Sequence, residues 1–154
     1  MSVESWIPPP PGWIKINFVA TFHSYRQQGA IAVVASRDHE GRILGAEGLK
    51  IRDQDAFEAK FRGAEQALQF ALKSSFIDAV IEGDNSTVIK TVKGASEPTM
   101  MTRGVSESCR LLMIQFISVI CRATKREDNY VAHRLAAEIW DRGSFNVNVL
   151  SKDY

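Results

Sequence analysis

The chain has 154 residues, of which 45% are hydrophobic, 24% charged and 9% aromatic. That profile fits one globular domain and argues against two domains, a coiled coil or a disordered tail. Nineteen Lys and Arg against eighteen Asp and Glu give a formal charge of +1, which excludes a histone-like binder and an acidic tail protein, so any nucleic-acid affinity must come from a local patch. A chain of this length buries about 70% of its unfolded surface and needs neither disulfides nor a structural metal to fold.

The opening MSVESWIPPPP holds no basic n-region and no continuous apolar h-region, so no secretory signal is expected. The longest apolar stretch, from Leu111 to Cys121, is interrupted by Gln115 and Ser118 and falls short of the roughly 20 apolar residues that a bilayer requires. Cys109 and Cys121 lack metal-ligand spacing and fall in apolar-patterned stretches. They are expected to be reduced, buried thiols of an intracellular protein, cytoplasmic or nuclear.

Four of the five prolines are consecutive, Pro8 to Pro11, bracketed by Trp6 and Trp13. Residues 1–12 therefore read as a stiff extended arm pinned by its aromatics, with an SH3 or WW ligand as the alternative. From Trp13 to Thr21, Ile14, Ile16, Phe18 and Ala20 alternate with Lys15, Asn17 and Val19, the pattern of a half-buried strand. A second strand over Ala30 to Ala35 and a third over Arg42 to Ile51 are separated by Arg37-Asp38-His39-Glu40-Gly41, a polar, Gly-terminated turn. Three hairpin-connected antiparallel strands follow.

Phe57, Phe61, Ala64, Leu68 and Ala71 recur at spacings of four and three, predicting a helix over Asp55 to Ser75. A strand over Ile77 to Glu82 leads through Gly83-Asp84-Asn85-Ser86 into a second helix ending near Lys93. A third helix is expected over Thr102 to Gln115, a fifth strand over Phe116 to Ala123 and a last helix over Asn129 to Trp140, with Lys125 to Asp128 as a polar connection. Residues 144–154 show no periodicity and read as a tail. The domain proper is thus 13–143, an α/β fold with a five-stranded mixed sheet, three antiparallel strands first, flanked by helices.

Five segments in this order resemble the plant ribonuclease H-like domain family, relatives of the ribonuclease H domains of retroelements. WIPPPPGWIKINFVATF is similar to the family's opening Trp-x-Pro-Pro-x-x-Gly-Trp-x-Lys-x-Asn-x-Asp-Ala, and ASRDHEGRILGA to its second hairpin. AKFRGAEQALQFALKSSF resembles the Ala-Glu-rich helix, IEGDNSTVI the end of strand four, and KREDNYVAHRLA the closing helix. The resemblance covers Trp6 to about Trp140 and implies a ribonuclease H-like fold.

It also implies cleavage of the RNA strand of RNA/DNA hybrids by two Mg²⁺ held by four carboxylates. Two cations about 4 Å apart place four positive charges in one cleft, and hard oxygen ligands must both bind and neutralise them. Carried over by position, the four ligands fall on Val19, Lys60, Asp84 and His133. Only Asp84 is acidic, and Lys60 offsets its charge. Lys125 and its neighbours also lack the family's His before Arg126-Glu127.

Glu58 lies about 200° around the helix from Lys60 and points away, whereas Glu82 shares the strand parity of Asp84 and is a candidate for the cleft. Lys60 is expected to fill the vacated metal space and pair with Asp84; the competing reading has Lys60 snorkelling to water and Val19 extending the core.

His23, His39 and His133 have no i, i+4 partner, and no dinucleotide, Walker, Gly-x-Ser-x-Gly or Cys/His nucleophile motif is present. Arg122, Lys125, Arg126 and Arg134 are candidate phosphate contacts. The chain therefore reads as a catalytically inactive ribonuclease H-like domain that binds a protein partner or regulates one. The alternatives are a non-cleaving RNA/DNA-binding domain and a weak nuclease. No cofactor is expected, Mg²⁺ entering only with the weak nuclease.

Overall fold

The computed structural model describes residues 11–23, 25–37, 42–52, 55–143 and 145–148. The Asp38 to Gly41 part of the expected turn, with His39, and the arm before Pro11 lie outside them. Strands β1 (Ile14–His23), β2 (Gln28–Ser36) and β3 (Ile43–Arg52) form the hairpin triple. Helix α1 (Ala56–Lys73), β4 (Asp78–Gly83), α2 (Ser86–Val92), α3 (Arg103–Met113), β5 (Ser118–Ala123) and α4 (Tyr130–Arg142) follow. All five expected strands are present, and β6 (Phe145–Asn148) adds a sixth. The sheet order is β5-β4-β1-β2-β3-β6, with β1 parallel to β4 and β4 parallel to β5. The three other pairings are antiparallel.

The tail expected to be featureless thus supplies an edge strand. A four-residue segment carries too little periodicity to be read, and its extended form comes from pairing with Gly45–Gly48 of β3. The polar connection before α4 is likewise more ordered than expected, since Arg126–Asn129 form a 3-10 turn running straight into the helix. Asp55 caps α1 by accepting the Glu58 N–H at 2.8 Å, which is why the helix begins at Ala56.

Two apolar layers enclose the sheet. Ile14, Ile16, Phe18 and Ala20 pack with Phe61, Leu68 and Phe70 of α1 on one face, while Val19, Ala30, Ala32 and Val34 meet Ala132, Ala136 and Ile139 of α4 on the other. The expectation of a half-buried β1 is corrected here. Lys15 and Asn17, placed on the wet side by alternation, are buried at 0% and 8% exposure. Both Cys109 and Cys121 are free and buried, and burial pushes their thiols up to about 12 and about 11 respectively, so neither is a reactive nucleophile. Among the described residues no helix is long and apolar enough to cross a membrane.

The Phe18 ring is wedged between α1 and β4, and two glycines make room for it. A Cβ on Gly63 would stand 3.1 Å from the ring, and one on Gly83 would collide with the ring itself. Gly83 immediately precedes Asp84, so the same contact sets where that carboxylate begins. Gly83→Ala is expected to destabilise the domain by about 1–3 kcal/mol through overpacking. Phe18→Leu in the same chain should recover part of the loss, as measured by urea denaturation; equal destabilisation in both backgrounds would refute the wedge.

Candidate functional site

The four positions carried over from the ribonuclease H pattern have four different fates. Val19 is 2% exposed and lies under α4, in the cluster with Ala132, Ala136 and Ile139. One residue before it, the Phe18 carbonyl accepts from Asn129 Nδ2 at 2.8 Å, and one residue after it, the Ala20 carbonyl accepts from Lys60 Nζ at 3.3 Å. Asp84, at the end of β4, meets His133 of α4, with Nε2 and Oδ2 2.5 Å apart. Because a carboxylate only accepts, that ring nitrogen carries the proton. The side chains are 15% and 18% exposed.

The expected Lys60–Asp84 pair is therefore not formed. Lys60 is satisfied by a backbone carbonyl of β1, and the carboxylate is taken by His133 instead. The reading of Val19 as core is correct, whereas Lys60 neither snorkels freely nor faces Asp84 as its partner. The ligand set does not fit a two-metal centre: one position is a buried aliphatic group, one is an ammonium, and the remaining carboxylate is already hydrogen-bonded. Among the described residues no three His, Cys, Asp or Glu side chains are placed to hold a metal ion.

Glu82, the candidate for the cleft, is engaged by other partners. Its carboxylate sits on the α4 side of the sheet and receives Lys15 Nζ at 3.3 Å, Arg122 Nε at 2.5 Å and Asn17 Nδ2 at 3.2 Å. Three neighbouring strands thus contribute to one nearly dry polar cluster, which satisfies the carboxylate and fixes the register of β1, β4 and β5. Burial holds the Lys15 ammonium below its ordinary value, with the charge and hydrogen bond of Glu82 opposing that shift. Arg122 engages this cluster through Nε, with its side chain 38% exposed.

The other basic candidates remain on the surface. Lys125, Arg126 and Arg134 are exposed. Arg126 and Arg134 line an open pocket of about 400 Å³ together with Glu127, Tyr130, His133 and Ala137. Sequence reasoning missed Tyr130, although it stands four residues before Arg134 on one helical face. Arg134 Nη1 donates to the Tyr130 hydroxyl at 2.6 Å, and its guanidinium lies 5.6 Å from the ring centroid.

The profile of the family described as reverse transcriptase-like matches residues 17–139. The chain belongs to this reverse transcriptase-like family. Its fold is ribonuclease H-like. The RNase H1 of the archaeon Halobacterium salinarum superposes with a TM-score of 0.76 at 23% identity, over 83% of this chain and 97% of that one. The N-terminal RNase H domain of a Mycobacterium tuberculosis protein gives 0.70 at 20%, over 83% and 94%. LC11-RNase H1, isolated from compost and solved with an RNA/DNA hybrid, gives 0.70 at 16%, over 81% and 94%. No curated protein matches the chain by sequence.

Two predictions come from these contacts. In urea denaturation, Asp84→Asn and His133→Ala should couple by about 1 kcal/mol or more, whereas Asp84→Asn and Lys60→Met should add within about 0.5 kcal/mol; the reverse ranking would restore the Lys60–Asp84 pair. For Lys15, the folded state holds the proton less tightly than the unfolded state. Its contribution to stability should therefore rise as pH climbs from the lowered folded value to the ordinary 10.5. Lys15→Met should remove that alkaline gain, and an unchanged stability-against-pH curve in the variant would refute the assignment.

Proposed function

We propose that this ribonuclease H-like domain has lost two-metal catalysis and acts as a binding or regulatory module for a protein partner. The observation behind this reading is the pairing of Asp84, the last acidic member of the ligand set, with His133 at 2.5 Å. Catalysis by two cations needs several hard oxygens converging on one cleft, and here the other positions hold Val19 and Lys60. The motif pattern resembling plant retroelement relatives supports descent from an active enzyme.

A second reading has a specific observation in its favour. Arg126, Arg134 and the exposed ring of Tyr130 border one pocket beside His133, a combination suited to a phosphate and an unstacked base. LC11-RNase H1 holds an RNA/DNA hybrid in its solved complex. Non-cleaving binding of such a hybrid would use the same fold without the chemistry. Binding whose affinity falls linearly with the logarithm of salt concentration, and weakens in Arg134→Ala, supports this second reading; its absence supports the protein partner.

The purified protein should not hydrolyse an RNA/DNA hybrid above background in Mg²⁺ or Mn²⁺. Steady turnover abolished both by EDTA and by Asp84→Asn would overturn the proposal and establish a weak nuclease built on Asp84.

A further inference from the structure

Arg126, Tyr130 and Arg134 recur at intervals of four along the 3-10 turn and the first turns of α4, so the three side chains line one face. On that face lies the open pocket of about 400 Å³, with His133 beside it and Ala137 contributing only a methyl group. Its volume is near the lower end of the roughly 300–1,000 Å³ spanned by small-molecule sites. That is the scale of a single nucleotide.

The groups on this face are held in a fixed relation. Arg134 donates from Nη1 to the Tyr130 hydroxyl and keeps its guanidinium 5.6 Å from the ring centroid, which steadies the ring while Tyr130 stays 57% exposed. The other nitrogens of Arg134 and the whole Arg126 guanidinium have no partner among the described residues. A guanidinium only donates, and its planar fork matches phosphate oxygens. Two such forks against the one carboxylate of the rim, Glu127, leave the pocket net positive with His133 counted neutral.

We propose, on the phosphate-and-base reading of this face, that the pocket receives one unpaired nucleotide, its base against the Tyr130 ring and its phosphate between Arg126 and Arg134. An open aromatic ring beside two donor forks suits that pair of groups. Within a duplex each base is paired and stacked on its neighbours, so a base reaches the ring only when it is unpaired and splayed out. A paired RNA/DNA hybrid therefore offers the phosphate without the base. A phosphoserine peptide likewise meets the arginines but not the ring. The full chemistry is offered by a free nucleoside monophosphate and by a single strand.

The base 2-aminopurine loses fluorescence when it stacks. The full chain is titrated into 2-aminopurine riboside 5′-monophosphate and, separately, into a 5′-phosphorylated oligothymidine strand carrying that base first. Saturable quenching is expected: of the free nucleotide if the ligand is a small molecule, of the strand alone if it is single-stranded nucleic acid. Tyr130→Leu and Arg126→Ala should each weaken the binding by at least about fivefold and Tyr130→Trp should retain it, with circular dichroism confirming that each variant is folded. Binding without quenching, equal for the strand, a blunt RNA/DNA hybrid and a phosphoserine peptide and indifferent to Tyr130→Leu, would overturn the proposal and leave hybrid binding standing. No binding of nucleotide, strand or hybrid would overturn both together.

Discussion

Strand β1 is hydrogen-bonded on both sides, to β2 and to β4, and covered on both faces, by α1 and by α4. From Ile14 to Ala20 the strand is buried, so the side chains there are apolar or matched by a partner inside the protein. Much of the domain follows from meeting that demand. Phe18 requires glycine at 63 and 83, Lys15 and Asn17 require Glu82, and the carbonyls of Phe18 and Ala20 engage Asn129 and Lys60.

The same constraint bears on the altered site. An acidic residue at position 19 would sit between β1 and the alanine face of α4, where an ionised carboxylate is costly unless cations compensate it. Valine needs no such compensation and lets Ala132, Ala136 and Ile139 close over the strand. Once position 19 is apolar, a metal has less to hold it, and a nearby carboxylate such as Asp84 needs another partner. His133, one residue beyond Ala132 on α4, supplies it. An apolar Val19 and an Asp84 paired with His133 are therefore mutually consistent.

The order and type of the elements were legible because alternation in β1 and the four-and-three spacing in α1 are local patterns. Positions 19, 60, 84 and 133 could be singled out from the sequence only through the motif resemblance. The partner of each was not legible. Asn17 and Glu82 are 65 residues apart and His133 and Asp84 are 49 apart, and nothing in either local stretch says that they meet. Alternation also misplaced Lys15 and Asn17, since it assigns a polar residue to solvent whether or not a distant carboxylate awaits it. Strand β6 escaped notice for a related reason: its conformation is imposed by β3, not by its own four residues.

The polar clusters around Glu82 and Asp84 differ in what they leave available. Around Glu82, the Lys15, Asn17 and Arg122 contacts knit β1, β4 and β5 together in a nearly dry setting, so a change there is felt as stability. Around Asp84, the carboxylate and His133 retain some solvent exposure, and the ring borders the pocket that holds Tyr130 and two arginines. Change at this second cluster reaches the surface. Glu82 is thus bound into the architecture while the His133 face can change without disturbing the sheet beneath it.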